Sequence, residues 1–549
     1  MVRLFLAMVV VLATGAALAA DTLRVPGDFK TIQAAVDAAK PGDTVVVAPG
    51  TYRERVRLKS RVVLRSDGDD AQGTLGLKRA EATIIDGGGE AGEGPGVAMA
   101  EGSTLDGFSV TNVGLYDDAS WKKHHATQGE QQSYEHIGEP GTTGIGIVGV
   151  TCIVRHNIVH HNGNSGIGIV GVPGKRCEPL LIHNICHRNM GGGIGAMKDS
   201  RATIRENVCF ENFYAGIGHS AASPLVLGNV CYGNVRAGIG ISEGASPIVR
   251  GNKCYKNRRA GIGIRTGADT RPTVEANDCY DNGMAGIGTR QDAMPVIRGN
   301  RCYRNKLAGI GSRTGASPTI IGNECFENEM TGIGQRGGTT TMLIGNYCHH
   351  NKTSGIGFEA GQGGRSTVLN NRVIDNAKVA VGINAGWSVV LSHNELSRKG
   401  GLPPIVMVFE GAEATFTENV IRGSGVAGIR AAGTVRAVGN QFEGEALRKV
   451  GPPNFGVWAL AGSSVTLTEN RFSKLRHALH AQGAEVSASG NRISEFHRAA
   501  LVIKQPTKPA LVFGNRAVAG DAQGDVVSVE GDQGGVFDNR LVELDDLEK

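Results

Sequence analysis

Apolar residues in the middle of this chain come in short alternating runs rather than at helical spacing, and they return on a fixed period. Between Gly144 and Gly357 a Gly-Ile-Gly triplet sets its isoleucine at 145, 167, 194, 217, 239, 262, 287, 310, 333 and 356, in steps of 22 to 27 residues. One period, PIVRGNKCYKNRRAGIGIRTGADT from Pro247, holds three strand-like stretches: Ile248-Val249, Lys253-Cys254-Tyr255 and Gly261 to Arg265. Gly-Asn, Asn-Arg-Arg and Thr-Gly-Ala punctuate them. Brief strands between such turns, repeated at this interval, predict an all-β solenoid in which each period is one coil and three strands per coil build three parallel sheets.

The ends of the chain read differently. MVRLFLAMVVVLATGAALAA has Arg3, an apolar run and small residues up to Ala20, the pattern of a secretory signal over residues 1–20 cleaved after Ala19 or Ala20. No stretch reaches the 18 apolar residues of a membrane span, so a secreted or periplasmic mature protein is expected. In DFKTIQAAVDAAKPGD, Ile32, Ala35, Val36 and Ala39 share one helical face, Asp28 or Thr31 can cap the start and Pro41-Gly42 stops the run. A short helix closing the N-terminal end of the rod is therefore predicted, with cap and first coils over 21–66. One elongated domain is expected over 21–549, with an inserted polar loop at 115–140, regular coils at 144–357 and less regular coils at 358–549.

The opening LRVPGDFKTIQAAVDAAKPGDTVVVAPGTYRE resembles the N-terminal cap of pectin-lyase-like right-handed parallel β-helix proteins, and the later coils resemble repeats of carbohydrate-binding proteins and sugar hydrolases of that superfamily. The resemblance implies a right-handed parallel β-helix. It implies no single activity, because many chemistries use this scaffold.

Down the stack, single positions form ladders. Asparagine precedes the second strand at 157, 184, 207, 229, 252, 277, 300, 323, 346, 371, 394, 419, 440, 470, 491, 515 and 539, which counts 17 or more coils and a rod of about 80 Å. Two residues on, Cys186, Cys209, Cys231, Cys254, Cys279, Cys302, Cys325 and Cys348 share a slot with Val373, Leu396 and Ile421, so it faces the core and the thiols act as small hydrophobes. An exported protein also permits disulfides, and Cys152 and Cys177, off the ladder, can pair with each other. The next position carries His160, His187, Phe210, Tyr232, Tyr255, Tyr280, Tyr303, Phe326 and His349, an outward aromatic stripe suited to sugar rings or to packing on itself. In the Gly-Ile-Gly strand the isoleucine points inward, and both glycines are expected outward, making a flat lane roughly 45 Å long. Beside it Arg265, Arg290, Arg313 and Arg336 recur, with Asp269, Asp292 and Glu243 as internal partners or with uronate, sulfate or phosphate groups as ligands.

The inserted segment LYDDASWKKHHATQGEQQSYEHIGEP concentrates polar chemistry: Asp117, Asp118, His124, His125, Tyr134 and His136 are candidate acids and bases. His124, His125 and His136, with His160 and His161 nearby, are also candidate ligands for a divalent metal such as Cu or Zn, although no compact metal motif is present. A net charge of +5 and a pI near 8.6 give no basic patch of the nucleic-acid kind. Three readings follow. The first is an exported protein that binds, and as a lyase or epimerase would process, an acidic polysaccharide on a Gly/Arg/aromatic face, but it lacks the Asp-Pro-His-Asp signature of alginate epimerases. The second is a non-catalytic envelope binder with a protein partner. The third is a metal-handling periplasmic accessory, a group these repeats also resemble.

Overall fold

The computed structural model describes residues 20–547 apart from 91, 93, 132–140, 520–523 and 533. The expected secretory signal, Tyr134 and His136 lie outside the described residues.

The chain winds into a parallel β-solenoid. Each strand pairs in register with its equivalents one coil before and after: Ile248 lies opposite Leu225 and Thr273, Cys254 opposite Cys231 and Cys279, and Ile262 opposite Ile239 and Ile287. The first sheet contains 21 strands, so coils outnumber the 17 asparagine rungs. The helix Ile32–Ala38 closes the N-terminal end, with the Thr31 hydroxyl accepting from the Ala34 amide at 3.2 Å and Ile32, Ala35 and Val36 buried. Among the described residues no helix is long and apolar enough to cross a membrane.

Strand alternation sends the middle residue of the first two strands and both ends of the third inward, which is why Val249, Cys254, Ile262 and Ile264 are buried while Ile248 and Lys253 are exposed. Between the first and second sheets the residue before each inward asparagine is left-handed, as at Gly251 (φ 67°) and Gly299 (φ 61°), and this explains the Gly-Asn punctuation. The asparagine then ties coils together. Asn300 Oδ1 accepts from the Asn277 amide and Nδ2, both at 2.9 Å, while Asn300 Nδ2 donates to the Val274 carbonyl and to Asn323 Oδ1.

Two expectations are corrected, and a second ladder joins the first. All ten cysteines are free, buried thiols, as the core-facing slot implies; on the ladder, in-register side chains point the same way and not at one another, and the alternative pairing of Cys152 with Cys177 is not formed. A second asparagine ladder, Asn162, Asn189, Asn212, Asn234, Asn257, Asn282, Asn305, Asn328, Asn351 and Asn376, is buried at the corner between the second and third sheets. It occupies the space into which the first glycine of each triplet faces: a Cβ on Gly261 would lie 2.7 Å from the Gly286 carbonyl and 2.9 Å from Asn282 Nδ2. That glycine is a packing requirement, and only the second glycine faces outward.

Candidate functional site

The outward glycines form the least explained surface of the rod. Gly218, Gly240, Gly263, Gly288 and Gly311 lie in extended strands of the third sheet, in register. A Cβ at Gly218 would meet nothing within 4 Å, and at Gly240, Gly263, Gly288 and Gly311 the nearest atom would be an alanine Cβ at 3.5, 3.7, 3.9 and 3.7 Å. Glycine in a strand costs roughly 0.5–1 kcal/mol relative to alanine. Nothing inside the protein requires that cost at these five rungs. The residue three places earlier is also small, alanine at 215, 237, 260, 285 and 308, so the lane is wide as well as bare. Toward the N-terminal end Pro95 covers it, 2.7 Å from a Cβ built on Gly146.

The arginine column borders this lane. The amides of Arg265, Arg290, Arg313 and Arg336 donate to Ile241, Ile264, Thr289 and Ser312 one coil back at 2.9–3.0 Å, so the four stand in register on adjacent coils. Arg265 and Arg336 are exposed, Arg290 and Arg313 half-exposed, and Arg336 lies 3.7 Å from Glu359. Glu243, an expected partner, bonds to the Ser220 hydroxyl.

The aromatic stripe is continuous but sits on the second sheet, so glycine, arginine and aromatic ladders do not share one face. From His160 to His349 successive rings stack with centroids 4.8–5.1 Å apart and planes within 14°. Their faces cover one another. Tyr232, Tyr255, Tyr280 and Tyr303 therefore present edges and hydroxyls to solvent, and burial raises their phenol pKa values.

The insertion contains a helix, Asp118–His125, that the polar sequence conceals. Asp117 caps it by accepting from the Ser120 amide at 2.9 Å, and Asp118 pairs with Lys122 at 2.6 Å. Trp121 anchors it on Phe213 and Val235, its indole donating to the Glu211 carbonyl at 2.6 Å. His125 stacks on Trp121 at 4.4 Å and meets Arg258 Nη2 at 3.1 Å, while His124 meets the edge of Phe213 at 5.4 Å. Burial and the Arg258 charge depress the His125 pKa. His160 belongs to the aromatic stack, and His161 stands edge-on beside it, Nδ1 to Nδ1 at 2.8 Å. Among the described residues no three His, Cys, Asp or Glu side chains are grouped to hold a metal ion.

Four histidines give the fold a pH dependence. Burial pushes His160 and His477 down to about 4, and His187 and His219 down to about 3, from an ordinary value of 6.5. Below 6.5 the unfolded chain takes up protons that the native state refuses, so stability falls as pH drops from 6.5 toward 4 and is unaffected by these groups above 6.5. Urea melts at about pH 4.5 and 7.5 should show a lower midpoint in acid, and His219→Leu should shrink the difference.

Residues 133–278 and 261–396, together a little under half of the chain, match the family described as "Right handed beta helix region". No curated protein matches. Among solved structures the chain is similar to a periplasmic alginate epimerase, AlgG (12% identity, 69% of this chain and 83% of that one, TM-score 0.36), and to the catalytic unit of a GH87 α-1,3-glucanase from Streptomyces thermodiastaticus (12%, 68% and 68%, 0.43). It is also similar to the A-module of the mannuronan C-5 epimerase AlgE6 from Azotobacter vinelandii (16%, 84% and 94%, 0.27). With its three-sheeted coil and its matched repeats, the chain has the fold of a right-handed parallel β-helix.

Proposed function

We propose that this is an exported protein that binds an extended acidic polysaccharide along the glycine lane, with Arg265, Arg290, Arg313 and Arg336 receiving the acidic groups. The observation that carries this reading is the row of outward glycines with room for a side chain and no internal reason to lack one. A strand glycine of that kind marks close approach of something from outside. A polymer lying along the sheet passes one arginine per rung, and the planar guanidinium fork suits carboxylate or sulfate groups. A surface that extends over many coils favours binding over a single catalytic focus. His124 and His125 hold the inserted helix in place through Phe213, Trp121 and Arg258, which supports a positioning role for that helix beside the lane.

Retention on immobilised acidic and neutral polysaccharides tests the reading. Acidic glycans should retain the protein and release it with rising salt, and neutral ones should not. Absorbance of unsaturated sugar in the same mixture separates lyase activity from binding. Equal retention on neutral glycans would remove the role of the arginines.

A further inference from the structure

The bare column does not run to the end of the rod. In register beyond Gly357 and Gly382, the same outward position holds Met407, Arg430, Trp458 and His480. The lane stops against a step of side chains. The bordering column changes on the same coils: after Arg336, Glu359 and Asn384 it reaches Phe409, a large apolar side chain 40% exposed.

The step is organised. The Arg430 guanidinium lies over the Trp458 indole, 5.4 Å from its centroid, and its Nη1 is 3.8 Å from Met407 Sδ. Arg430 has no carboxylate partner among the described residues, so its charge is met only by a sulfur and a π face. Trp458 is half-buried and braced edge-on by Phe455 at 5.8 Å. His480 stacks on the other side of that brace, 4.7 Å from Phe455, and its Nδ1 is buried without a hydrogen-bond partner. Burial lowers the pKa of both His477 and His480, so neither adds charge at neutral pH. An indole and one unpaired guanidinium, fixed at the end of a flat track, are the elements of a sugar subsite: an apolar plate for the ring and one fork for its carboxylate.

We infer that Met407, Arg430, Trp458 and His480 form a terminal subsite that seats the end residue of an acidic polysaccharide chain lying in the glycine lane. This rests on the reading given under Proposed function. It adds that the protein recognises chain ends, because a polymer following the lane cannot continue past the step without rising over Trp458.

Tryptophan fluorescence reports on this subsite. The other two tryptophans, Trp121 and Trp387, are 3% and 1% exposed, so quenching by iodide reaches Trp458 selectively. Intact protein should be titrated with short oligouronides and with a long polyuronate at equal sugar concentration. Protection of Trp458 should follow the concentration of chain ends, and so be far stronger with the oligomers. Arg430→Gln should weaken oligomer binding about tenfold, the loss of one charge-assisted hydrogen bond, with the melting temperature unchanged. Trp458→Phe should abolish the signal and keep the fold. Retention of both glycans with Trp458 unprotected, or protected in proportion to total sugar, overturns the terminal subsite and leaves the lane reading standing. Retention of neither overturns both.

Discussion

Two substitutions two residues apart, Gly261→Ala and Gly263→Ala, should have opposite effects on stability. At Gly261 the new methyl would sit 2.7 Å from the Gly286 carbonyl, 2.9 Å from Asn282 Nδ2 and 3.1 Å from Cys279 Cβ. None of these is the flexible end of a long side chain. The carbonyl belongs to the next coil, where it accepts from the Ile262 amide at 2.9 Å, and Asn282 is held in its ladder by Asn305. Relief requires separating two coils, and a loss of about 3 kcal/mol is expected, the upper end for overpacking a tight core. At Gly263 the nearest atom would be 3.7 Å away and the backbone is ordinary strand. Alanine there should stabilise by about 0.5–1 kcal/mol, because it removes freedom from the unfolded chain. Chemical denaturation of both variants checks the pair of signs, and a Gly261→Ala protein as stable as the parent would contradict the packing described.

Asn300→Leu should be at least as damaging. Asn300 Oδ1 takes two donors from Asn277, and Asn300 Nδ2 gives to the Val274 and Arg298 carbonyls and to Asn323 Oδ1, all at 2.9–3.1 Å. Leucine fills the volume but leaves the Asn277 amide and side chain, the Val274 carbonyl and Asn323 Oδ1 short of partners in a dry corner. Each orphaned group costs roughly 1–3 kcal/mol, so a total of about 3–5 kcal/mol is expected after relaxation. In a solenoid each coil touches only its neighbours, so the damage should centre on coils 277–323. Hydrogen exchange should rise there first and leave the helix-capped end protected. Uniform exchange along the rod, or no change, would show that the ladder is not what holds adjacent coils together.

The coil, its three strands and its capping helix were legible because each rests on local periodicity: inward residues, turn glycines and the Thr31 cap recur or stand alone in recognisable form. The second asparagine ladder was hidden inside the Asn-Arg-Arg punctuation, where it reads as turn chemistry. Misplacing the first glycine has a related cause. The strand starts at Ile262, so in–out alternation does not extend back to Gly261, which belongs to the corner. For the aromatic stripe, sequence fixes that the rings point outward but not that rings one rung apart turn face to face. Arg430 and Trp458 lie beyond the regular triplets, where register with the glycine column exists only in three dimensions. The insertion was marked as unusual by composition, yet Asp117, Asp118, His124 and His125 are now seen to cap, pair or pack the helix against the coils.

The central claim is that the glycine lane is kept bare for a ligand. Its most direct test is the affinity of Gly288→Val for an acidic polysaccharide, measured by calorimetry beside the parent protein. Valine suits an outward strand position and has space there, the nearest atom to a Cβ being 3.9 Å away. The account predicts a variant at least as stable as the parent whose affinity falls by about tenfold or more, as a ridge lifts the chain from the sheet. A stable variant that binds the polysaccharide as tightly as the parent would contradict it.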